Sequence, residues 1–450
     1  MITINKEPDI NVGILSSKKI NFELHGEFKS YGKENIFSGR FMAELENDKI
    51  VCSQGTEKFE IENEITFVPQ DFEIESFLLR DVRIGINFHW QRKEKERFNG
   101  SLRLLKDGDT IVAINIIPAE SYLTSVVSSE MSARSSLQLL KSHAIISRSW
   151  LLAQIIKSKK IKNKKETYSS GYQNEGEIIR WYGREDHILF DVCADDHCQR
   201  YQGITKVFTE AARLAVKQTS GVVLISENNI CDARYSKSCG GITESFENVW
   251  EPVKHSYLKS VIDYKFEPEN YNLDFTSEVN ARKWIKGNPS AFCNTHDKKI
   301  LSQVLIDYDQ ATDDFYRWKV EYRQQEISKI IISKTGLDFG NIIDLIPLER
   351  GFSGRLIKLK IIGTKKSLII GKELEIRRVL SKTHLYSSAI IIEKEDIVEN
   401  IPQKFSIYGA GWGHGVGLCQ IGAAVMAAKG YQFDEILLHY FSNTKLKKIY

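Results

Sequence analysis

Residues 117–157 read IPAESYLTSVVSSEMSARSSLQLLKSHAIISRSWLLAQIIK. The spacing predicts two helical pieces broken at Glu130-Met131-Ser132. Pro118 suits a first helical turn, where its missing N–H costs nothing. Leu123, Val126 and Val127 then form one apolar stripe. Ser135 is the expected N-cap of the second piece. Beyond it, Leu137, Leu140, Ala144, Leu151 and Ile155 keep helical spacing. Ile145, Ile146, Leu152 and Ile156 make the opposite side apolar as well, and a helix apolar all round is a buried helix. Glu130 then falls where the chain breaks, at the mouth of that buried helix. A carboxyl partly withdrawn from water there has its pKa raised and becomes a general acid near neutral pH.

Outward from this stretch, residues 1–117 read as β. Ile10, Val12 and Ile14 alternate, as do Phe22 and Leu24, and runs such as KIVCSQ, KFEIEN and EITFVP recur between turn residues. C-terminal to the helix, Lys157 to Lys165 is a basic run that reads as a solvated helix end. His187, Cys193, His197 and Cys198 follow within twelve positions. Two thiols and two imidazoles suit a closed tetrahedral zinc shell, structural rather than catalytic, with Cys231 or Cys239 able to substitute for one ligand. TEAARLAVKQTSG, from Thr209, predicts a short helix ending at Gly221, and VVLI a buried strand. In CDARYSKSCGGITESFENVW, Gly240-Gly241 permits close backbone approach to a ligand. Glu244 is a second carboxylate that would partner Glu130. Residues 266–314 read as an irregular insertion or cap, and β pattern resumes at 315–450. There GWGHGVG, residues 411–417, wraps Trp412 and His414 in glycine. It lacks the signatures of phosphate and dinucleotide loops. A Trp in such a loop suits stacking on a sugar ring, and His414 a hydrogen bond to one.

The totals restrict the field. At 450 residues, 42% hydrophobic and 27% charged, the chain is an ordinary globular one with room for two or three domains. A net charge of +3 gives no reason to expect nucleic acid. Seven cysteines with uneven spacing are not a disulfide framework. The sequence shows neither an export signal nor a run long enough to span a membrane.

Three stretches carry a resemblance: IPAESYLTSVVSSEM with LKSHAIISRSWLLA, YSKSCGGITESFENVW, and GWGHGVG continued through Gln420. Together they resemble the SpoIID/LytB family, the sporulation stage II D proteins and the amidase enhancers. The resemblance implies a lytic transglycosylase acting on peptidoglycan strands, especially those stripped of stem peptides, with Glu130 as both acid and base. The rival readings are a non-catalytic glycan-binding enhancer of a cell-wall amidase and an intracellular zinc-containing interaction protein. The resemblance further implies a zinc near the His/Cys cluster and glycan contacts from Lys141, Arg148, Tyr235, Ser236, Ser238, Gly240, Gly241, Trp412, His414 and Gln420. It also implies a substrate in the cell wall or periplasm. Two departures stand out: Ser132 replaces a Pro after Glu-Met, and His143 replaces a Gln. The expected architecture is α+β: a β-rich part (1–117), a central part with helix, zinc-bearing loop and Ser-Cys-Gly-Gly segment (118–265), the insertion (266–314) and a late part (315–450).

Overall fold

The computed structural model describes residues 6–30, 33–85, 92–164, 171–181, 187–195, 197–205, 210–305 and 314–450. Lys165, Thr209 and residues 306–313 of the insertion therefore lie outside the described residues. The fold is mixed α+β and rich in strands. The early β pattern forms an 11-stranded sheet, mostly antiparallel, from Asp9–Ser17 to Thr110–Pro118, with Val192–Cys193 added in parallel beside Asp9–Ser17. Its inward phenylalanines, among them Phe22, Phe41, Phe67, Phe77 and Phe98, are almost fully buried.

The last strand of that sheet runs straight into helix α1 (Ala119–Glu130), with Pro118 as the N-cap, one position earlier than expected. Met131 is extended (φ −119°, ψ 147°), which ends α1. Helix α2 (Leu137–Lys164) follows. Its N-cap is Ser136, whose Oγ accepts from Leu139 N at 3.4 Å, not Ser135. Ser135 instead donates to the Gln303 carbonyl at 2.5 Å. Leu139, Leu140, Ala144, Ile145, Ile146, Leu151 and Leu152 are all buried, as are Ser142, His143, Ser147, Arg148 and Ser149. The polar residues fit because each hydroxyl finds a partner within reach; Ser149 Oγ donates to Ile145 O and accepts from Leu224 N. Helix α3 (Glu210–Gln218) and the strand Val222–Ser226 pack on α2, with Gly221 at φ +71° making the turn between them.

The C-terminal half holds two smaller sheets. One joins Arg317–Arg323, Ile401–Ala410 and Ile390–Val398; the other orders Gly171–Gln173, Glu177–Arg180, Ser367–Gly371, Leu356–Gly363 and Ile342–Arg350. The second sheet takes two strands from the stretch read as central, pairing Glu177 with Ile369 in parallel. The described residues of the insertion pack on the rest of the chain. Its helix Glu278–Lys286 buries Trp284 and Ile285 against Ala410 and Ile391, and its helix Lys298–Val304 reaches back to the α1–α2 break. No helix of the described residues is long and apolar enough to cross a membrane.

Candidate active site

The two glycine-bearing stretches meet because glycine lets their backbones touch. Ser238 and Trp412 exchange backbone hydrogen bonds at 3.0 and 2.7 Å, and Tyr235-Ser236 pairs in parallel with Leu418-Cys419. A Cβ on Gly240 would stand 2.7 Å from Gly411 N, and one on Gly417 would stand 2.1 Å from the Arg234 carbonyl. Both residues have positive φ, +77° and +73°, so side chains are excluded twice over.

These joined loops face the end of α1 across a cavity of about 360 Å³. Glu130, Tyr235, Ser236, Trp412, His414 and Gln420 line it, with His197 and Cys198 of the cluster. Among the described residues Glu130 is the one acid in the lining, and Arg200, Arg234, Lys237 and Arg377 are the cations. Glu130 Oε1 accepts from the Arg200 backbone N at 3.1 Å. Among the described residues, Ser236 Oγ is buried with no hydrogen-bond partner, as is Trp250 Nε1, and both belong to residues of the wall.

Behind Glu130, Gln420 Nε2 meets His143 Nε2 at 3.2 Å and Met131 Sδ at 3.7 Å. Burial, with Lys237 nearby, holds the His143 imidazole down to about 3, so it is neutral and its Nδ1–H faces Ser147 Oγ at 3.3 Å. His414 is likewise kept well below its usual range, by burial first and then by Arg234, Arg377 and Arg355. Its Nδ1 accepts from Val416 N at 3.0 Å, which leaves the ring proton on Nε2 as a donor. Trp412 is already stacked on Tyr386, centroids 3.9 Å apart and planes 17° apart, and Phe315 lies 4.7 Å away. The expected sugar platform is thus a Tyr386–Trp412 pair with one tryptophan face covered.

Several expected contacts do not reach the cavity. Arg148 is fully buried, donating to Glu120 Oε1 and Oε2 at 2.8 and 2.6 Å and to the Val222 carbonyl at 3.0 Å; it staples α1 to α2. Lys141 lies over the Phe433 ring, 5.5 Å from its centroid. Ser238, Gly240 and Gly241 are buried behind the wall, where they join the loops. Glu244 does not face Glu130. Its carboxylate accepts from Ser245 N, Asn248 Nδ2, Ser353 N and Ser353 Oγ beneath the Gly415–Gly417 turn. The four cations escaped the sequence reading except as isolated charges; only Arg234 had a local signal, the Asp232 two residues before it, to which it is bidentate at 2.7 and 3.0 Å.

His187, Cys193, His197 and Cys198 do come together, with ligand atoms within 4.8 Å of one another, a grouping that could hold a metal ion. His187 Nε2 lies 3.4 Å and His197 Nδ1 3.6 Å from Cys198 Sγ. The hydrogen bond from Cys198, joined by those from both imidazoles, draws the Cys193 thiol far below its usual value, the direction a metal-binding thiolate needs. Cys231 and Cys239 lie outside this grouping.

Comparison with known proteins follows the same geography. Residues 107–225 match the family model described as Stage II sporulation protein, and residues 244–417 match a domain of unknown function. Stage II sporulation protein D of Bacillus subtilis is 23% identical over 338 residues, 75% of this chain and 76% of that one. An uncharacterized protein of Brachyspira hyodysenteriae is 23% identical over 349 residues, 78% of this chain and 72% of that one. The Amidase enhancer of Bacillus subtilis is 25% identical over 248 residues, 52% of this chain but only 32% of the relative. The family match spans the carboxylate, the helix break behind it and the His/Cys cluster, and over these residues the chain is similar to the Stage II sporulation protein family.

Proposed function

We propose that this chain is a peptidoglycan lytic transglycosylase that cleaves glycan strands lacking stem peptides, with Glu130 as acid and then base. The observation that carries this reading is the lining itself, one carboxylate facing four cations and an aromatic pair. Hydrolysis by the usual route needs two carboxyls flanking the bond. Transglycosylation needs one. Protonated Glu130 gives its proton to the bridging oxygen, and the bond from that oxygen to the muramic C1 breaks. The muramic C6 hydroxyl then closes on C1 and returns its proton to Glu130. The product is a 1,6-anhydro end, and no water is consumed.

Removal of the stem peptide leaves a free lactyl carboxylate on each muramic residue, and Arg200, Lys237 and Arg377 suit that anion. Ser236 Oγ, without a hydrogen-bond partner among the described residues, suits a sugar hydroxyl. His187, Cys193, His197 and Cys198 would hold zinc as a closed, structural set. Bound there, it would fix the loop whose Arg200 N–H orients Glu130 two residues beyond Cys198.

The partial match to the Amidase enhancer favours a second reading, a glycan-binding enhancer of a cell-wall amidase. Mass spectrometry of purified strands, with and without stem peptides, separates the two. Anhydro-muramic ends from the wild type and none from Glu130→Gln support the transglycosylase. Reducing ends would mean a hydrolase. Retention of glycan without cleavage by either protein would favour the enhancer.

A further inference from the structure

A second group of metal-type ligands lies apart from the cavity. Cys239, Cys293, Cys419 and Asp263 come from four separate segments, yet their ligand atoms lie within 4.8 Å of one another. All four are buried, at 2%, 1%, 0% and 0% exposure. Cys239 Sγ and Cys293 Sγ are 3.7 Å apart and unbonded. Two sulfurs each about 2.3 Å from one tetrahedral zinc stand about 3.8 Å apart. We infer that Cys239, Cys293, Cys419 and Asp263 form a second, buried structural site for zinc or a similar divalent, thiolate-seeking ion.

The surroundings argue for the ion. Asp263 accepts from Cys293 N at 2.8 Å and from Tyr440 Oη at 2.6 Å. Among the described residues no Lys, Arg or His side chain bonds it. A carboxylate so fully withdrawn from water is costly unless a positive charge is close, and a divalent ion at the thiol end supplies one. The backbone N of Cys239 donates to Cys419 Sγ at 3.2 Å, as outer groups do around thiolate ligands. Three sulfurs and one oxygen in a closed shell select zinc over magnesium or calcium. Binding releases the thiol protons into solvent and involves no electron transfer.

The position gives the ion a purpose. Cys239 lies three residues past Ser236, and Cys419 directly precedes Gln420, so both loops of the cavity wall would be pinned to one point. Cys293 ties in the insertion, and Asp263 the segment just before it; the insertion's Gln303 carbonyl accepts from Ser132 N at 3.1 Å, two residues past Glu130. The ion would brace the cavity floor from behind without touching substrate.

Metal analysis of the full chain, purified from zinc-supplemented cells under reducing conditions, tests this independently of any glycan activity. Two zinc ions per chain are expected, with one retained in Cys198→Ser and one in Cys293→Ser. A wild type with a single ion that Cys198→Ser keeps also supports the buried site. A Cys198→Ser protein that folds and holds no metal overturns it. Should Cys293→Ser fail to fold, the cobalt-substituted wild type decides: a sulfur-to-cobalt absorption worth five thiolates supports the inference, and one worth only the two of Cys193 and Cys198 overturns it.

Discussion

Glu130 meets the cavity from the last residue of α1, held by a backbone N–H that a glutamine can also accept from. Glu130→Gln therefore keeps shape and hydrogen bond and removes only the transferable proton. General acid–base groups contribute about 10²- to 10⁴-fold. Release of anhydro ends by Glu130→Gln is expected to fall by that factor at unchanged glycan retention; an equal loss of retention would mean that the side chain binds rather than reacts. His143 offers a second test. Its folded-state value of about 3 is below the 6.5 of an exposed imidazole, so the unfolded chain binds the extra proton. Its contribution to stability is complete above pH 6.5 and is lost as pH falls toward 3, at up to about 1.4 kcal/mol per pH unit. His143→Gln keeps a partner for Gln420, and urea titrations across that window should show a flatter acid limb than the wild type. Glu130 was legible because a helix break leaves a local sequence trace. The neutrality of His143 was not, because it comes first from the complete burial of the ring and then from Lys237, and both arise only through the fold.

At the scale of elements, the break between α1 and α2 is secured from a distance. Locally, Ser132 makes a turn after Met131, its Oγ accepting from Arg134 N at 3.2 Å and its carbonyl from Ser135 N at 3.0 Å. The insertion supplies the constraint: Gln303 O accepts from Ser132 N and Ser135 Oγ, and Gln303 Oε1 accepts from Ser136 N at 3.0 Å. Periodicity reported both helices and their burial, yet it could not report which element ends the first. Arg148 shows the same limit. A cation on an apolar helix suggested a ligand contact, whereas its partner is Glu120, 28 residues earlier on α1, which also accepts from Gly221 N and Tyr450 Oη. Breaking one half of such a buried pair costs about 3–5 kcal/mol. Arg148→Met is expected to lower unfolding stability by that amount in urea titrations while turnover per folded molecule stays at the wild-type level. A raised KM with intact stability would return Arg148 to the glycan.

Across the whole molecule, the cavity is assembled from both halves of the chain: Glu130 and Arg200 come from the first, Lys237, Arg377, Tyr386, Trp412 and His414 from the second. The early and late β patterns were legible because each strand carries its own alternation, but a charge field pooled from such distant positions has no signature along the sequence. The chain's net charge of +3 hides it, since its 62 Lys and Arg nearly balance its 59 Asp and Glu. A low-dielectric cleft in which cations outnumber acids focuses its field on an anionic ligand. Lys237 Nζ donates to Val304 O at 3.1 Å, a bond that a glutamine amide can also make, so Lys237→Gln tests the field by removing the charge. A charge-assisted hydrogen bond contributes about 1.5–3 kcal/mol, or about tenfold or more in affinity. Lys237→Gln should therefore raise KM about tenfold on strands with free lactyl carboxylates and leave kcat near the wild-type value. The wild type's KM on those strands should climb with added salt, and the variant's should climb less steeply. On strands whose lactyl groups are blocked as amides, the two proteins should give the same KM. A tenfold difference on the blocked strands as well would show that Lys237 reads the sugar rather than its carboxylate.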